Sequence, residues 1–222
     1  MRIAALETST DWCSVALWMN GEIAALEQRA GQRHAELALP MLQQLLANSG
    51  FRVGALDAVA FGAGPGSFTG LRIACGIAQG LAMARGLPVL GVSTLEAMAE
   101  ESGASRVVAC LDARMREVYY ACLERAGGAW RVAIPPCCIP PAAAEAPPGS
   151  GWIGCGSGFA VYPEALGHVA ARVLPQVHPS AIAVARLAAP RLARGEGVDA
   201  ASAAPFYLRD KVAMTIEERD AR

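Results

Sequence analysis

The sequence has almost no lysine, since Lys211 is the only lysine among its 19 basic residues. The chain therefore offers few residues that could act as the phosphate-binding lysine of a P-loop or as the amine that forms a Schiff base. Histidine is nearly as scarce, with only His34, His168 and His178, so few residues could serve as the base of a Ser/His/Asp catalytic triad. These two shortages exclude several common enzyme classes.

Net charge and long apolar runs are also missing. The 19 basic residues are balanced by 20 acidic ones, so the chain has no standing positive field and would need a partner's help to contact RNA. Apolar runs are broken well before the ~18 residues that a membrane span needs, and Glu7 ends the first run too early for a signal peptide. Seven cysteines, an odd number without a C-x-x-C pair, predict buried free thiols. We therefore expect a soluble cytoplasmic protein.

Apolar residues are abundant, at 54% of the chain, and their spacing predicts two similar units. Strand-like alternation, with Asn20-Gly21 as a hairpin turn, is followed by helical spacing and buried strands in the order βββαβαβα. The predicted elements are strands at 2–9, 12–19, 22–29, 56–62 and 87–91, helices at 33–49, 68–85 and 94–102, and further strands at 107–111, 117–124 and 130–134. We expect an α/β fold with units at 1–103 and 104–222, whose C-terminal tail could pack back on the first unit.

Two segments fall outside this pattern. Residues 135–151 are so rich in Pro, Ala and Gly that we expect a surface loop through which no ordinary sheet continues, with a role that the sequence leaves open. The adjacent Cys137 and Cys138 in it have no second pair at ligand spacing, so no metal site is expected. The charged end, residues 217–222, is predicted to be a frayed helix end.

The helices predicted at 33–49 and 68–85 carry more apolar surface than one sheet can cover. Pro40 lies inside the first and is expected to kink it. In the second, Gly76 and Gly80 stand four residues apart, a spacing that lets another helix approach closely. Either another polypeptide or the second unit of the chain must cover the surplus surface.

A glycine-rich loop, residues 62–72, follows a predicted buried strand and opens the second of these helices. It lacks the lysine of a P-loop, its glycines do not align on the Rossmann pattern, and it has no G-x-S-x-G elbow. Ser67 is a natural N-cap for the helix. Two interpretations stay open: free N–H groups that receive an anion or a partner's carbonyl, or a turn that only seats the helix on the sheet.

Several motifs together resemble one family. They are Gly64-Pro65-Gly66-Ser67-Phe68-Thr69-Gly70-Leu71-Arg72-Ile73, His34-Ala35-Glu36 with Leu39-Pro40, Asp112-Ala113-Arg114, and Pro205-Phe206-Tyr207-Leu208-Arg209. They closely resemble the TsaB (YeaZ) family of bacterial tRNA threonylcarbamoyladenosine biosynthesis, along the whole chain and most strongly over 1–120. The resemblance implies the actin/Hsp70/sugar-kinase fold, with two duplicated ribonuclease-H-like units.

The wider superfamily binds ATP and a metal ion between its two units, and the resemblance places the corresponding turns here. The first turn, Glu7-Thr8-Ser9, lacks the expected glycine, and the second, with Asp112 and Arg114, puts a large cation where a phosphate turn needs a small residue. We therefore expect a degenerate cleft that binds nucleotide weakly or not at all, with no cofactor and no metal.

The resemblance further implies a subunit without catalytic residues, which joins the catalytic subunit TsaD and the ATPase TsaE to transfer threonylcarbamoyl to adenosine 37 of tRNAs that read ANN codons. His34 is followed by Ala38 four residues on, so the metal-binding H-x-x-x-H arrangement of TsaD is absent. The two apolar helices would pair with TsaD or with a second copy of this chain, and tRNA would be met only through the complex. The partner-binding candidates are His34, Leu37, Met41, Leu42, Leu45, Arg72, Cys75, Gly76, Gln79 and Met83, and the motif-loop candidates are Gly64, Pro65, Gly66, Ser67, Thr69 and Gly70.

Two other classes of function stay open. One is an independent ATP-dependent kinase or ATPase of the same fold, with Asp112 or Glu7 as the metal carboxylate. The other is a self-contained homodimeric binding module that never exchanges its partner for TsaD. Arg114 and Arg116 could contact tRNA phosphate or a partner's carboxylate, or simply be solvated.

Overall fold

The first sheet forms from the predicted hairpins and the two buried strands that follow them. The computed structural model describes residues 1–209, and its sheet order here is β3-β2-β1-β4-β5, in which β1, β2 and β3 are antiparallel neighbours while β4 and β5 run parallel to β1. Asn20 and Gly21 make the turn between β2 and β3, both with positive φ. The strands are β1 Arg2–Glu7, β2 Trp12–Met19, β3 Glu22–Arg29, β4 Ala58–Gly64 and β5 Val89–Ser93.

Two long helices cover one face of this sheet. They are α1, His34–Asn48, and α2, Phe68–Met83. Their buried residues, among them Leu42 and Ala78, form one apolar cluster with every second residue of β1, β2 and β4. Helix α1 continues through Pro40 without interruption. Helix α3, Thr94–Glu101, follows β5 on the other side.

The second sheet repeats the strand order of the first. Its order is β8-β7-β6-β9-β10, so each strand holds the place of the strand five numbers earlier. The elements are β6 Arg106–Asp112, β7 Val118–Ala126, β8 Ala129–Ile139, β9 Ile153–Cys155, α4 Ser157–Val161, α5 Pro163–Leu166, β10 Arg172–Leu174 and α6 Ala181–Ala193. This repetition confirms the predicted duplicated ribonuclease-H-like fold.

The last helix of each unit packs across the boundary between the sheets. Leu95 and Met98 of α3 lie in a cluster with β6 and β7 of the second sheet. Ala181, Val184 and Ala188 of α6 lie in a cluster with β1, β4 and β5 of the first. The sheets are therefore tied together by exchanged helices, and a division of the chain at residue 103 stays a prediction.

The expectation of a loop at 135–151 is wrong at its start, because β8 continues to Ile139. Strand β8 lies at the edge of the sheet, and its pairing with β7 is irregular between Tyr120 and Cys122, opposite Pro135 and Pro136. Proline has no N–H to donate to the ladder, so it is tolerated at an edge or an irregular position, where that hydrogen bond is not needed. The predicted frayed helix at 217–222 lies outside the described residues. In the range that the structure describes, no helix is both long and apolar enough to cross a membrane.

Candidate functional site

The glycine-rich loop between β4 and α2 packs tightly on the turn that follows β1. A Cβ on Gly70 would lie 1.9 Å from the carbonyl oxygen of Thr8, whose hydroxyl donates to the Gly70 carbonyl at 2.7 Å. The Ser67 hydroxyl accepts from the Gly70 N–H at 3.3 Å, which confirms the predicted N-cap. Close backbone packing therefore requires this glycine, in support of the interpretation that the turn seats the helix.

Two other glycines of the motif loop also pack closely against distant segments of the chain. A Cβ on Gly66 would lie 2.6 Å from the Cβ of Ser9, and one on Gly64 would lie 2.4 Å from the carbonyl oxygen of Phe206. Gly64 also has a φ of 120°, which disfavours any side chain. Pro65 is buried and Thr69 is exposed. Atoms of residues 1–209 therefore pack closely against the loop at Gly64, Gly66 and Gly70.

Glu7, at the end of β1, lies against this loop and is only 1% exposed. Its Oε1 accepts from the Ser9 N–H at 2.6 Å, whereas Oε2, beside Gly62, finds no hydrogen-bond partner within residues 1–209. Burial, partly offset by hydrogen bonds from Ser9, raises the pKa of the Glu7 carboxyl. A raised pKa disfavours the ionised carboxylate that a hard cation takes as its ligand.

Asp112, at the end of β6, holds the equivalent place in the second unit. Its Oδ1 accepts from the Arg114 N–H at 3.1 Å and from the Tyr162 hydroxyl at 3.4 Å, and Oδ2 lies 3.5 Å from an Arg114 guanidinium nitrogen. Arg114 itself is 79% exposed at the side chain, and Arg116 is exposed as well. In the described part of the chain, no three His, Cys, Asp or Glu side chains could hold a metal ion together. The residues of both turns therefore do not fit a nucleotide with its metal ion.

Most of the predicted partner-binding residues on α1 lie inside the monomer. His34, Met41, Leu42 and Leu45 are buried, and Leu37 is half-buried against the same core. The imidazole Nε2 of His34 lies 3.2 Å from the Trp12 carbonyl oxygen. The inference that a single sheet would leave these side chains uncovered is wrong, because α1 and α2 lie side by side and each covers part of the other.

On α2 the predicted residues divide into covered and exposed ones. The Gln79 amide donates to the Ala203 carbonyl at 3.0 Å, and the buried Cys75 thiol lies 3.5 Å from the same oxygen. Gly76 and Met83 are exposed, Met83 to 67%. Gln79 therefore does find the hydrogen-bond partner that its position on an apolar helix requires, but within its own chain.

Arg72 is exposed and belongs to an aromatic cluster at the start of α2. Its guanidinium carbon lies 3.8 Å from the centre of the Phe68 ring, and its Nε donates to the Tyr207 hydroxyl at 3.2 Å. The Tyr207 ring lies 5.4 Å from that of Phe68. Tyr207 was not a predicted site residue, although it belongs to the C-terminal motif that carried part of the family resemblance. That motif was the signal that could have identified it.

An exposed strip remains on the two helices, which we call the outer helix face. The surface is shallowest at Gly76 and Gly80, which have no side chains. A Cβ built on either glycine would meet no atom of residues 1–209 within 4 Å, apart from the neighbouring residues and backbone of its own helix. Leu39 of α1, 42% exposed, adds apolar surface. The face consists of Leu39, Gln43 and Ala47 of α1 and Thr69, Arg72, Gly76, Gly80 and Met83 of α2. Small residues at the centre of such a strip allow another helix to approach closely.

The chain is similar to known proteins over nearly its whole length. A family model described as "TsaD: tRNA N6-adenosine threonylcarbamoyltransferase" matches residues 27–217. The tRNA threonylcarbamoyladenosine biosynthesis protein TsaB of Escherichia coli (strain K12) is 39% identical over 224 aligned residues, which cover 96% of each chain. The protein of the same name from Haemophilus influenzae is 48% identical over 129 residues, 56% of this chain and 55% of that one. Among solved structures, YeaZ from Pseudomonas aeruginosa is 42% identical with a TM-score of 0.89, covering 93% of this chain and 99% of that one.

Proposed function

Because this chain belongs to the TsaB (YeaZ) family, it takes part in tRNA threonylcarbamoyladenosine biosynthesis, and we propose that it does so as a subunit without catalytic groups of its own. In this proposal it docks on the catalytic subunit TsaD, and the ATPase TsaE acts with the pair. Contact with tRNA is made through the assembled complex, and the same docking surface pairs two copies of this chain when TsaD is absent.

The observation that carries the proposal is the outer helix face. Met83 is 67% exposed and the neighbouring Gly76 and Gly80 leave a shallow track beside it. Exposed apolar surface on two adjacent long helices is costly in water and is typical of surfaces that become covered on assembly. The glycines set how closely a partner helix can come, so steric fit rather than charge would decide the affinity.

The environment of the candidate reactive groups supports a role without catalysis. Glu7 is buried and its pKa is raised, while Asp112 already accepts hydrogen bonds from Arg114 and Tyr162. Neither carboxylate is presented to solvent as an open metal ligand. These contacts disfavour the alternative of an independent ATP-dependent kinase or ATPase.

A variant that fills the shallow track tests the proposal. Gly76→Leu combined with Gly80→Leu should raise the Kd for purified TsaD by about 100-fold, because two leucine side chains would hold the partner helix away. The monomer should stay folded, since leucine favours helix and both positions are open. Ala78 is unsuitable for this test because it is fully buried.

Isothermal titration calorimetry with TsaD gives the Kd, and circular dichroism gives the Tm of each variant. Arg186→Leu on α6 is the matched control, since it places a leucine at an exposed helix position away from the outer helix face. An unchanged Kd in a folded double variant would reject the docking surface. Sedimentation of the same variants without TsaD tests the pairing of two copies.

A further inference from the structure

We propose that residues 203–209, the C-terminal strap, lock the two units of this chain together across the ends of β4 and β6, with Arg209 as the tie. The bridge is made by a segment of the chain itself. The proposal goes beyond the docking function and does not depend on it.

Two backbone groups of the strap accept or donate hydrogen bonds to the first unit. The Ala203 carbonyl accepts from Gln79 of α2 at 3.0 Å, and the Phe206 N–H donates to the Ala63 carbonyl, at the end of β4, at 2.6 Å. The Phe206 carbonyl lies so close to Gly64 that no side chain could stand there. The strap therefore fills the space in front of the motif loop, on the side where β4 ends.

Three residues further on, the strap reaches the second unit through Arg209. Its Nη1 donates to the Ala113 carbonyl at 3.0 Å, and its Nη2 lies 3.4 Å from the Arg114 carbonyl oxygen and pairs with the Glu117 carboxylate. The Cys138 sulfur of β8 lies 3.5 Å from the same nitrogen. The side chain is only 15% exposed. A guanidinium thus uses its planar fork to hold one turn at several points, which a lysine could not do.

The turn that Arg209 holds has a backbone that requires support. Arg114, Met115 and Arg116 have φ values of 60°, 54° and 61°, three successive left-handed residues without a glycine. Such conformations persist only where the surrounding structure imposes them. The turn's own hydrogen bonds, from Ala113 N–H to the Glu117 carbonyl and back from Glu117 N–H to the Arg114 carbonyl, are supplemented by those of Arg209. Release of Arg209 should therefore loosen the turn and the strap together.

Arg209→Gln tests the lock in the full-length chain. We expect trypsin to cleave after Arg114 and Arg116 about tenfold faster than in the wild type, because local opening exposes the turn. Cleavage after Arg52, in an exposed loop of the first unit, should be unchanged and serves as the internal reference. Equal rates at the turn in variant and wild type would overturn the proposal. So would an equal acceleration at Arg52, since Arg209 would then support the fold as a whole.

Hydrogen–deuterium exchange by mass spectrometry tests whether both ends of the lock respond. In Arg209→Gln, uptake should rise in the peptides that contain 113–118 and 205–209, whereas the strands of both sheets keep their protection. If uptake rises only in 113–118, the proposed bridge between the units is wrong, and Arg209 supports that turn alone. Tyr207→Phe is the matched control, because it removes a strap contact made within the first unit, to Arg72, and should leave 113–118 unchanged.

Glu117→Gln provides a second variant in case the first is poorly folded. It weakens the pairing with Arg209 while the carbonyl contacts of the guanidinium remain. We expect a smaller rise of cleavage at Arg114 and Arg116, about threefold, with the same exchange pattern. No rise in either measurement would contradict the assignment of Arg209 as the tie.

Discussion

The two units of this chain share one strand order but differ in what covers their sheets. In the first unit, α1 with 15 residues and α2 with 16 residues lie between β3 and β5 in the sequence. At the equivalent places the second unit has a three-residue 3-10 helix, Pro141–Ala143, and the short helices α4 and α5. The sheet order is thus kept while the helical layer is reduced.

Large single side chains replace the missing helices in the second unit. Trp152, Phe159, Leu166 and Val169 form a cluster with Tyr120 and other residues on one face of the sheet. A few aromatic residues bury as much apolar area as a longer run of small ones. Consequently, within residues 1–209, it is the first unit that presents two long helices side by side, and the outer helix face belongs to it.

The loops after β4 and β9 pack in a similar way in the two units. In the first unit, Gly70 allows contact with the Thr8 carbonyl, and in the second a Cβ on Gly158 would lie 2.4 Å from the Cys110 sulfur. The Ser157 hydroxyl accepts from the Asp112 N–H at 3.1 Å. In both units, glycines let the loop pack on the unit's first strand or the turn after it. The comparison indicates that the glycine pattern serves packing in each unit, whether or not a phosphate is bound.

Truncation of one core leucine in each unit would test how far the units are independent. Leu42→Ala in the first and Leu166→Ala in the second should each lower the free energy of unfolding by about 4 kcal/mol, because both side chains are buried. Since α3 and α6 are exchanged between the sheets, we expect urea unfolding to remain a single transition in both variants. Two separate transitions would show that the units are stable apart.

The two kinds of glycine on α2 give a sharper contrast. Gly70→Ala should lower the free energy of unfolding by about 3 kcal/mol, since the new Cβ would meet the Thr8 backbone. Gly76→Ala should raise it by about 0.5 to 1 kcal/mol, because the position is open and alanine favours helix. Urea denaturation measures both. Similar losses in the two variants would contradict the assignment of Gly70 to packing and Gly76 to the exposed face.

A smaller effect should come from the loop after β10, which reaches back to the first unit. The His178 Nε2 lies 3.0 Å from the Glu27 carboxylate, and its ring stacks on Trp12 at 4.4 Å. The hydrogen bond that the His178 ring donates to the Glu27 carboxylate raises the pKa of His178, and the same bond lowers the pKa of Glu27. The stabilisation from His178 is complete below its ordinary pKa of 6.5 and is lost as the pH rises through the higher value of the folded state.

Glu27 sets the acid limit of this window, because its contribution is present above the ordinary pKa of 4.5 and is lost on further acidification. The pair should therefore stabilise the fold most between these two values, by less than about 1 kcal/mol for a partly exposed pair. Comparison of urea unfolding at pH 5.5 and pH 8 for wild type and His178→Phe checks this, since phenylalanine keeps the stack but not the charge. An identical pH dependence in the variant would remove the pair as its cause.

Strong local patterns predicted the first unit well. Helix α1, predicted at 33–49, runs from His34 to Asn48, and the hairpin turn at Asn20-Gly21 is in place. In the second unit no element was predicted between residues 135 and 209, where β9, β10, α4 and α5 each have three to five residues. Such short elements contain too few repeats for periodicity to show. Helix α6 was also missed, because six of its 13 residues are alanine, which gives a weak apolar pattern, and because it contains Pro190.

The candidate site shows the same division. Apolar periodicity placed the surplus surface on α1 and α2, but it could not separate the buried Leu42 and Leu45 from the exposed Leu39. That separation depends on how the two helices pack together and on the strap that covers Cys75 and Gln79. The strap arrives from more than 120 residues away in the chain.

By itself the sequence determined the order of the elements along the first unit, the long helices, the N-cap at Ser67 and the family, because each depends on near neighbours in the chain or on a motif of adjacent residues. Only the tertiary structure decided which helix faces stay exposed, why Gly70 must be a glycine and where Arg209 binds. Those depend on close approach between segments far apart in sequence, and no local pattern records which distant backbone will lie against a given side chain.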